Sequence, residues 1–280
     1  MDIQQVKQLK ILVIGDSCED IYHFGKCEKL SPEAPVPIFR LVRSEEVGGM
    51  AKNVLNNLIG LNCNVSLITN KEKIYKERFI DEISFQHIVR VDKGESKKIN
   101  ELSICEIEKI NFKNFSAVIV SDYDKGFISK ENAEHLSQVC FKNNILLFVD
   151  SKKNDLSCFS NAIVKINQSE YKNLIKKPIN SELVITQGPA GAMWNDKKFK
   201  AAKIEIDHLT INENYENLRN ANVCGAGDTF LAGLVVHYVL NKKLSLAILF
   251  ANKCGAIAIN NFGTHTITLE EVKKYYDICI

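Results

Sequence analysis

Residues 11–14, Ile11-Leu12-Val13-Ile14, are apolar without interruption and end at Gly15-Asp16, the pattern of a strand buried on both faces. Residues 50–61 follow Gly48-Gly49 and carry Val54, Leu55, Leu58 and Ile59 at helical spacing. Further strand-like runs occupy 65–69, 117–121, 145–150, 162–167 and 183–186, and 129–142 is the clearest helical stretch between them. Strands alternating with helices predict an α/β fold with a mainly parallel sheet. Residues 20–26, 35–42 and 79–92 alternate in polarity instead, as strands with one wet face do, and predict a small satellite sheet. Residues 228–240 and 244–260 are apolar nearly all round, which predicts two interior helices. With no linker, repeat or low-complexity tract, one domain is expected over residues 1–280, with a discontinuous β lid at about 19–47 and 76–100.

Composition narrows the function classes. The chain has 280 residues, 45% of them hydrophobic and 25% charged, enough for a core without a metal or disulfide staple. Lys and Arg number 36 against 34 Asp and Glu, and a net charge of +2 argues against a dedicated nucleic-acid or membrane-surface binder. Nine scattered cysteines contain no C-x-x-C pair, so free thiols in a reducing compartment are expected rather than zinc or a disulfide framework. Residues 1–10 are polar, unlike a secretory signal. The longest apolar run, 230–240, includes His237 and falls short of the ~20 residues of a membrane span. A cytoplasmic location is the expectation.

The stretch Cys224-Gly225-Ala226-Gly227-Asp228-Thr229-Phe230 is the richest in candidate chemistry. Two glycines let the backbone approach a ligand, and the helix that follows aims its free N–H groups and positive dipole end at the same place. That suits a phosphate or a developing anion. Alone, however, G-x-G-D reads equally well as a helix start capped by an acid.

Four ordered motifs settle the choice between them. Gly48-Gly49 to Asn53, then Asn167-Gln168-Ser169-Glu170, Thr186-Gln187-Gly188-Pro189-Ala190-Gly191 and Gly225-Ala226-Gly227-Asp228 occur in the order of the ribokinase-like (PfkB-type) carbohydrate kinases, which the chain resembles. Gly15-Asp16 through Asp20, Leu30-Ser31-Pro32-Glu33-Ala34-Pro35-Val36-Pro37, Ser121-Asp122-Tyr123-x-Lys125-Gly126, Asp150-x-Lys152 and Gly263-Thr264 look like the D-glycero-D-manno-heptose-7-phosphate kinase branch. The resemblance implies a three-layer ribokinase-like fold and transfer of phosphate from ATP to a sugar phosphate at its anomeric hydroxyl. It implies Asp228 as catalytic base, and the amides of Gly225, Ala226 and Gly227 around the transferred phosphoryl group. Asn167 and Glu170 would organise Mg²⁺ indirectly, although Asn with Glu three residues on is also an ordinary capping box. Thr186, Gly188, Gly191 and Asn252 would line the ATP site, Asn252 serving either a base contact or a structural hydrogen bond. Asp20, Gly49 and Asn53 would hold the sugar, and Lys125 either its phosphate or nothing but solvent.

The sequence also departs from the family pattern. Members commonly carry Asp-x-Thr before G-A-G-D, where this chain has Asn222 and Cys224, which puts the potassium dependence of those relatives in doubt here. A helix and strand usual between Thr69 and Phe79 are not expected, and 206–221 reads as an insertion. No H-x-G-H stretch occurs, so the nucleotidyltransferase domain fused to some heptose kinases is not expected. Another sugar or a nucleoside as acceptor, and a non-catalytic binding protein on the same fold, are the alternatives. Lid strands of the family pair between subunits, so a homodimer is also expected.

Overall fold

The computed structural model describes residues 3–96, 98–202, 224–261 and 263–276. Asn222, the 206–221 insertion and Cys279 lie outside the described residues.

The uninterrupted apolar runs form the centre of the molecule. Strands β1 (Lys10–Gly15), β4 (Asn64–Thr69), β7 (Ala117–Asp122), β8 (Leu146–Ser151), β9 (Ile163–Asn167) and β10 (Glu182–Thr186) run parallel in one sheet. Two short antiparallel strands, β11 (Ala192–Trp194) and β12 (Lys197–Phe199), extend it to the order β12-β11-β10-β9-β8-β7-β1-β4. Alternate residues of each strand serve opposite faces, so both faces must be covered. On one face Ile11, Val13 and Ile119 pack with α2 (Ala51–Gly60), α6 (Ala226–Asn241) and α7 (Leu244–Ile259). On the other, Leu12, Ile14, Val118 and Val120 pack with Ile107 of α3 (Ile104–Glu108) and Leu136 of α4 (Lys130–Lys142). The remaining helices are α1 (Ile3–Lys7), α5 (Gln168–Lys172) and α8 (Leu269–Tyr276). Helix on sheet on helix is the ribokinase-like arrangement expected.

A second sheet of order β3-β2-β5-β6 is built from β2 (Ser17–Lys26), β3 (Arg40–Met50), β5 (Tyr75–Asp81) and β6 (His87–Lys93). Its strands differ from the expected bounds for local reasons. Residues 35–42 contain Pro35 and Pro37, which cannot donate to a ladder, and only the isolated bridge Leu30–Pro37 forms before β3 begins at Arg40. Residues 79–92 are not one strand but a hairpin. Asp81 accepts from the Ser84 N–H and hydroxyl, and Phe85 takes φ 56°, so the chain turns.

The two C-terminal helices are less alike than their sequences. Residues 228–236 of α6 are buried throughout, whereas α7 exposes Leu246 and Leu249 along one side. Between Thr69 and Tyr75 the chain has only five residues, and β4 is the outermost strand of the main sheet among the described residues. Asn70 fastens this short passage: its Oδ1 accepts from Ser17 N–H at 2.7 Å and its Nδ2 donates to Glu72 O at 2.6 Å.

Candidate active site

The carboxyl ends of the parallel strands converge on the start of α6, the place where open α/β sheets present their ligand sites. Gly225 opens that helix at φ 79°, a left-handed conformation that favours glycine, with no described side chain capping the helix start. A methyl added there would lie 2.7 Å from Asn53 Nδ2 and 2.8 Å from Thr264 Cγ2, so the turn also needs glycine for space. One turn on, Asp228 is 4% exposed and held from two sides. Asn53 Nδ2 donates to its Oδ2 at 2.8 Å, and the Tyr123 hydroxyl donates to its Oδ1 at 2.8 Å. Asn57 braces Asn53 in turn, donating to its Oδ1 at 3.0 Å.

Electrostatics place this carboxyl where it can take a proton. Burial first, and the neighbouring Asp150 charge second, raise its pKa to about 6. Asn53, Lys165 and Tyr123 oppose that rise. Near neutrality the group is ionised yet basic enough to accept a proton, the balance required of a general base. Burial and Asp228 together push the Tyr123 hydroxyl well above its ordinary range, so it stays a donor.

On one side of Asp228 lies a cleft of about 630 Å³. The 225–228 turn, Lys165, Asn167, Thr186, Gly188, Gly191 and Asn252 line it. Gly191 at φ 95° turns so close to the chain that an added methyl would meet Phe199 O at 2.1 Å. Asn252 donates to Phe199 O at 3.2 Å and Lys200 O at 3.0 Å, so its amide nitrogen ties the cleft wall to the chain at the end of β12. Asn167 and Glu170 form the capping box of α5: Asn167 Oδ1 accepts from Glu170 N–H at 2.9 Å, and Glu170 Oε2 from Asn167 N–H at 2.7 Å. The other Glu170 oxygen pairs with Lys152.

One cleft group, Lys165, was not anticipated, and Asp150 was named only as part of a motif, without a role. Lys165 on β9 reaches to the glycine turn, where a methyl added at Gly227 would stand 3.0 Å from its Nζ. Its partner is Asp150 on β8, Oδ2 at 2.6 Å, while Asp150 Oδ1 is buried with no hydrogen bond among the described residues. The signal was present: a lysine interrupts the Ile163–Asn167 strand, where the flanking residues are buried and apolar. No group of three His, Cys, Asp or Glu side chains among the described residues could hold a metal by itself. The unpartnered Asp150 oxygen in this cleft does fit a hydrated Mg²⁺ carried on phosphates, which needs only one or two protein carboxylates.

On the other side, Asp20 of β2 sits beside Gly49, where an added methyl would lie 2.5 Å from its Oδ2. Together with Asn53 they form a polar corner next to Asp228. Lys125, expected beside the sugar's phosphate, pairs with Glu95 at 2.9 Å. The cation in the corner is Arg78 of β5, which donates to Asp20 Oδ1 at 2.6 Å and approaches Cys224 Sγ at 3.5 Å. Its only sequence mark was parity, since Arg78 shares the inward-facing row of its strand with buried Ile80. Tyr22 and Thr264 close the corner, their hydroxyls 2.8 Å apart.

Residues 86–271 match the profile described as pfkB family carbohydrate kinase. The chain is similar to the bifunctional protein HldE of a Nitratiruptor species, 30% identical over 95% of this chain and 64% of that one. HldE of Sulfurimonas denitrificans is likewise 30% identical, over 95% and 64%. The chain thus spans under two thirds of the length of these curated relatives. Among solved structures, phosphofructokinase-2 from Escherichia coli with potassium superposes with TM-score 0.69 at 17% identity, covering 96% of this chain and 98% of that one. Arabidopsis thaliana ribokinase with ribose and ATP gives 0.66 at 13%, covering 96% and 99%, and both likenesses concern the fold. No helix among the described residues is long and apolar enough to cross a membrane. With the matched profile spanning most of the chain, this protein belongs to the pfkB family of carbohydrate kinases, phosphotransferases with an alcohol group as acceptor.

Proposed function

We propose that the chain transfers the terminal phosphoryl group of ATP to a sugar phosphate, D-glycero-D-manno-heptose 7-phosphate at its anomeric hydroxyl. The observation that carries this reading is the position of Asp228 between a roomy cleft and a polar corner, with Asn53 and Tyr123 fixing both of its oxygens. The Leu30 to Pro37 stretch and the HldE relatives support the heptose acceptor.

In this reading the attacking sugar oxygen approaches from the Asp20, Gly49 and Asn53 side, and Asp228 Oδ accepts its proton as the new bond to the γ-phosphorus forms and the bond from that phosphorus to the bridging oxygen breaks, leaving ADP in the cleft. Phosphoryl transfer asks for alignment and charge neutralisation more than for covalent help. Lys165 and the backbone amides at the start of α6 present fixed positive charge toward the cleft, which costs no reorganisation during reaction. Asp150, and Asn167 and Glu170 through water, would hold a Mg²⁺ carried on the triphosphate, which would supply further charge neutralisation there. Arg78 joins Lys125 as a candidate for the sugar's own phosphate, since a guanidinium beside the sugar corner suits a second, fixed phosphate.

The five-residue passage from β4 to β5 favours one variation, a different sugar or nucleoside in a reshaped acceptor corner. The test is turnover with Mg-ATP on a panel of sugars, sugar phosphates and nucleosides. Heptose 7-phosphate is expected to give the highest kcat/KM, and Asp228→Asn to lower kcat by roughly 10²–10⁴-fold while nucleotide still binds. No turnover on any acceptor by a protein that binds ATP would overturn the catalytic reading.

A further inference from the structure

Asp228 is not simply buried at the end of a cleft; a second residue is aimed at it from a loop that has its own anchor. Tyr123 follows β7, and its hydroxyl donates to Asp228 Oδ1 at 2.8 Å. The loop bearing it is gathered by another carboxylate, Asp16, fully buried after β1. Asp16 Oδ2 accepts from Tyr123 N–H at 2.7 Å and from Lys125 N–H at 3.3 Å, and its Oδ1 accepts from Phe127 N–H at 3.4 Å. Three amides converging on one carboxylate hold the turn as a nest holds an anion. The tyrosine ring is supported separately, with Lys152 Nζ 5.4 Å from its centroid. Among the described residues the hydroxyl therefore has one hydrogen-bond partner, and that partner is Asp228.

We infer that Tyr123 is a positioning residue for Asp228: its hydroxyl fixes one oxygen of the base and favours the ionised carboxylate, and Asp16 fastens the loop that delivers it. The inference rests on the kinase reading for the word "base", but the contact itself does not. A carboxylate with donors on both oxygens keeps one rotamer, so the lone pair facing the acceptor corner stays aligned. The groups facing Asp228 are Asn53 from α2, Tyr123 from its loop, Asp150 from β8, Lys152 beyond β8, Lys165 from β9 and Cys224 just before α6. Only Asn53 and Tyr123 donate a hydrogen bond to the carboxylate among them.

The discriminating variant is Tyr123→Phe, which keeps the ring and removes the donor. Loss of one hydrogen bond to a charged group is expected to move the Asp228 midpoint up by about one pH unit. Carbon-13 NMR titration of the side-chain carboxyls in the ligand-free protein reads this without any substrate, so the result stands even if no sugar is turned over. With a working acceptor, the acidic limb of the kcat/KM profile should move up with it. The plateau kcat should fall roughly tenfold, with the KM for ATP unchanged. An unmoved carboxyl midpoint, or an unaltered kcat and acidic limb, overturns the inference. Should the variant fail to fold, the unmodified protein supplies the test: the Tyr123 hydroxyl proton should be protected from exchange and move downfield as Asp228 ionises. A hydroxyl that exchanges freely at every pH overturns the inference equally.

Discussion

Lys165 Nζ stands 2.6 Å from Asp150 Oδ2, and the two side chains are 3% and 2% exposed. The residues face each other directly across β8 and β9, where Asp150 is the register partner of Lys165. A charge pair this deep is held by mutual compensation, because desolvation offsets much of the attraction. Lys165→Met should therefore cost about 3–5 kcal/mol of unfolding free energy, since it strands Asp150. The double variant with Asp150→Asn should cost clearly less than the sum of the single ones. Urea unfolding of the four proteins at pH 7 checks this; strict additivity would refute it.

The raised pKa of Asp228 has a thermodynamic counterpart. Between the ordinary carboxyl value of 3.8 and about 6, the folded protein holds this proton more tightly than the unfolded chain does. Stability attributable to the group is thus present below that window and lost as pH rises through it. Asp228→Asn removes the effect. The variant should gain about 1–3 kcal/mol relative to wild type between pH 4 and pH 7, read as the pH dependence of the difference in unfolding free energy. A difference that stays flat over that range would contradict the assigned environment.

The two glycines of the turn should respond differently to one methyl group. Gly225→Ala forces a side chain into φ 79° and against Asn53 and Thr264, and should destabilise by about 1–3 kcal/mol. Gly227 has no such backbone constraint, and its new methyl meets only a side-chain terminus, Lys165 Nζ at 3.0 Å. That variant should stay within about 1 kcal/mol of wild type, because alanine is the better helix former. Its kcat should nevertheless fall as Lys165 shifts. Thermal unfolding beside initial rates at saturating ATP and acceptor separates the two effects.

How much of this was legible in the sequence depended on burial. Ile11 to Ile14 and 117–121 read correctly as strands because a parallel strand covered on both faces has no polar alternation to confuse it. β3 was misplaced because Arg40 to Glu46 are all exposed, so polarity carries no information about which residues pair. The capping box at Asn167 and Glu170 was readable since its spacing is local, and so were the glycines of the 225–227 turn. Arg78 and Lys165 were not, since a charged residue inside an apolar row announces a partner without saying which one. The partner of Lys125 was equally illegible: its motif gives no sign of Glu95, thirty residues upstream.

The half of the cleft lined by Lys165 and Asn167 is written into a hydrogen-bond ladder rather than into loops. Asp150, Lys165 and Val184 stand abreast on β8, β9 and β10, and two residues further on Asn167 stands beside Thr186. Sliding β9 by a single position would turn Lys165 and Asn167 to the opposite side together. Under the proposed function, changes of donor preference would then arise at 187–191 and 201–202, which line the same cleft, while the acceptor corner can drift through replacements on the smaller sheet. One half of the machine is fixed by backbone geometry, and the other is free to be retuned.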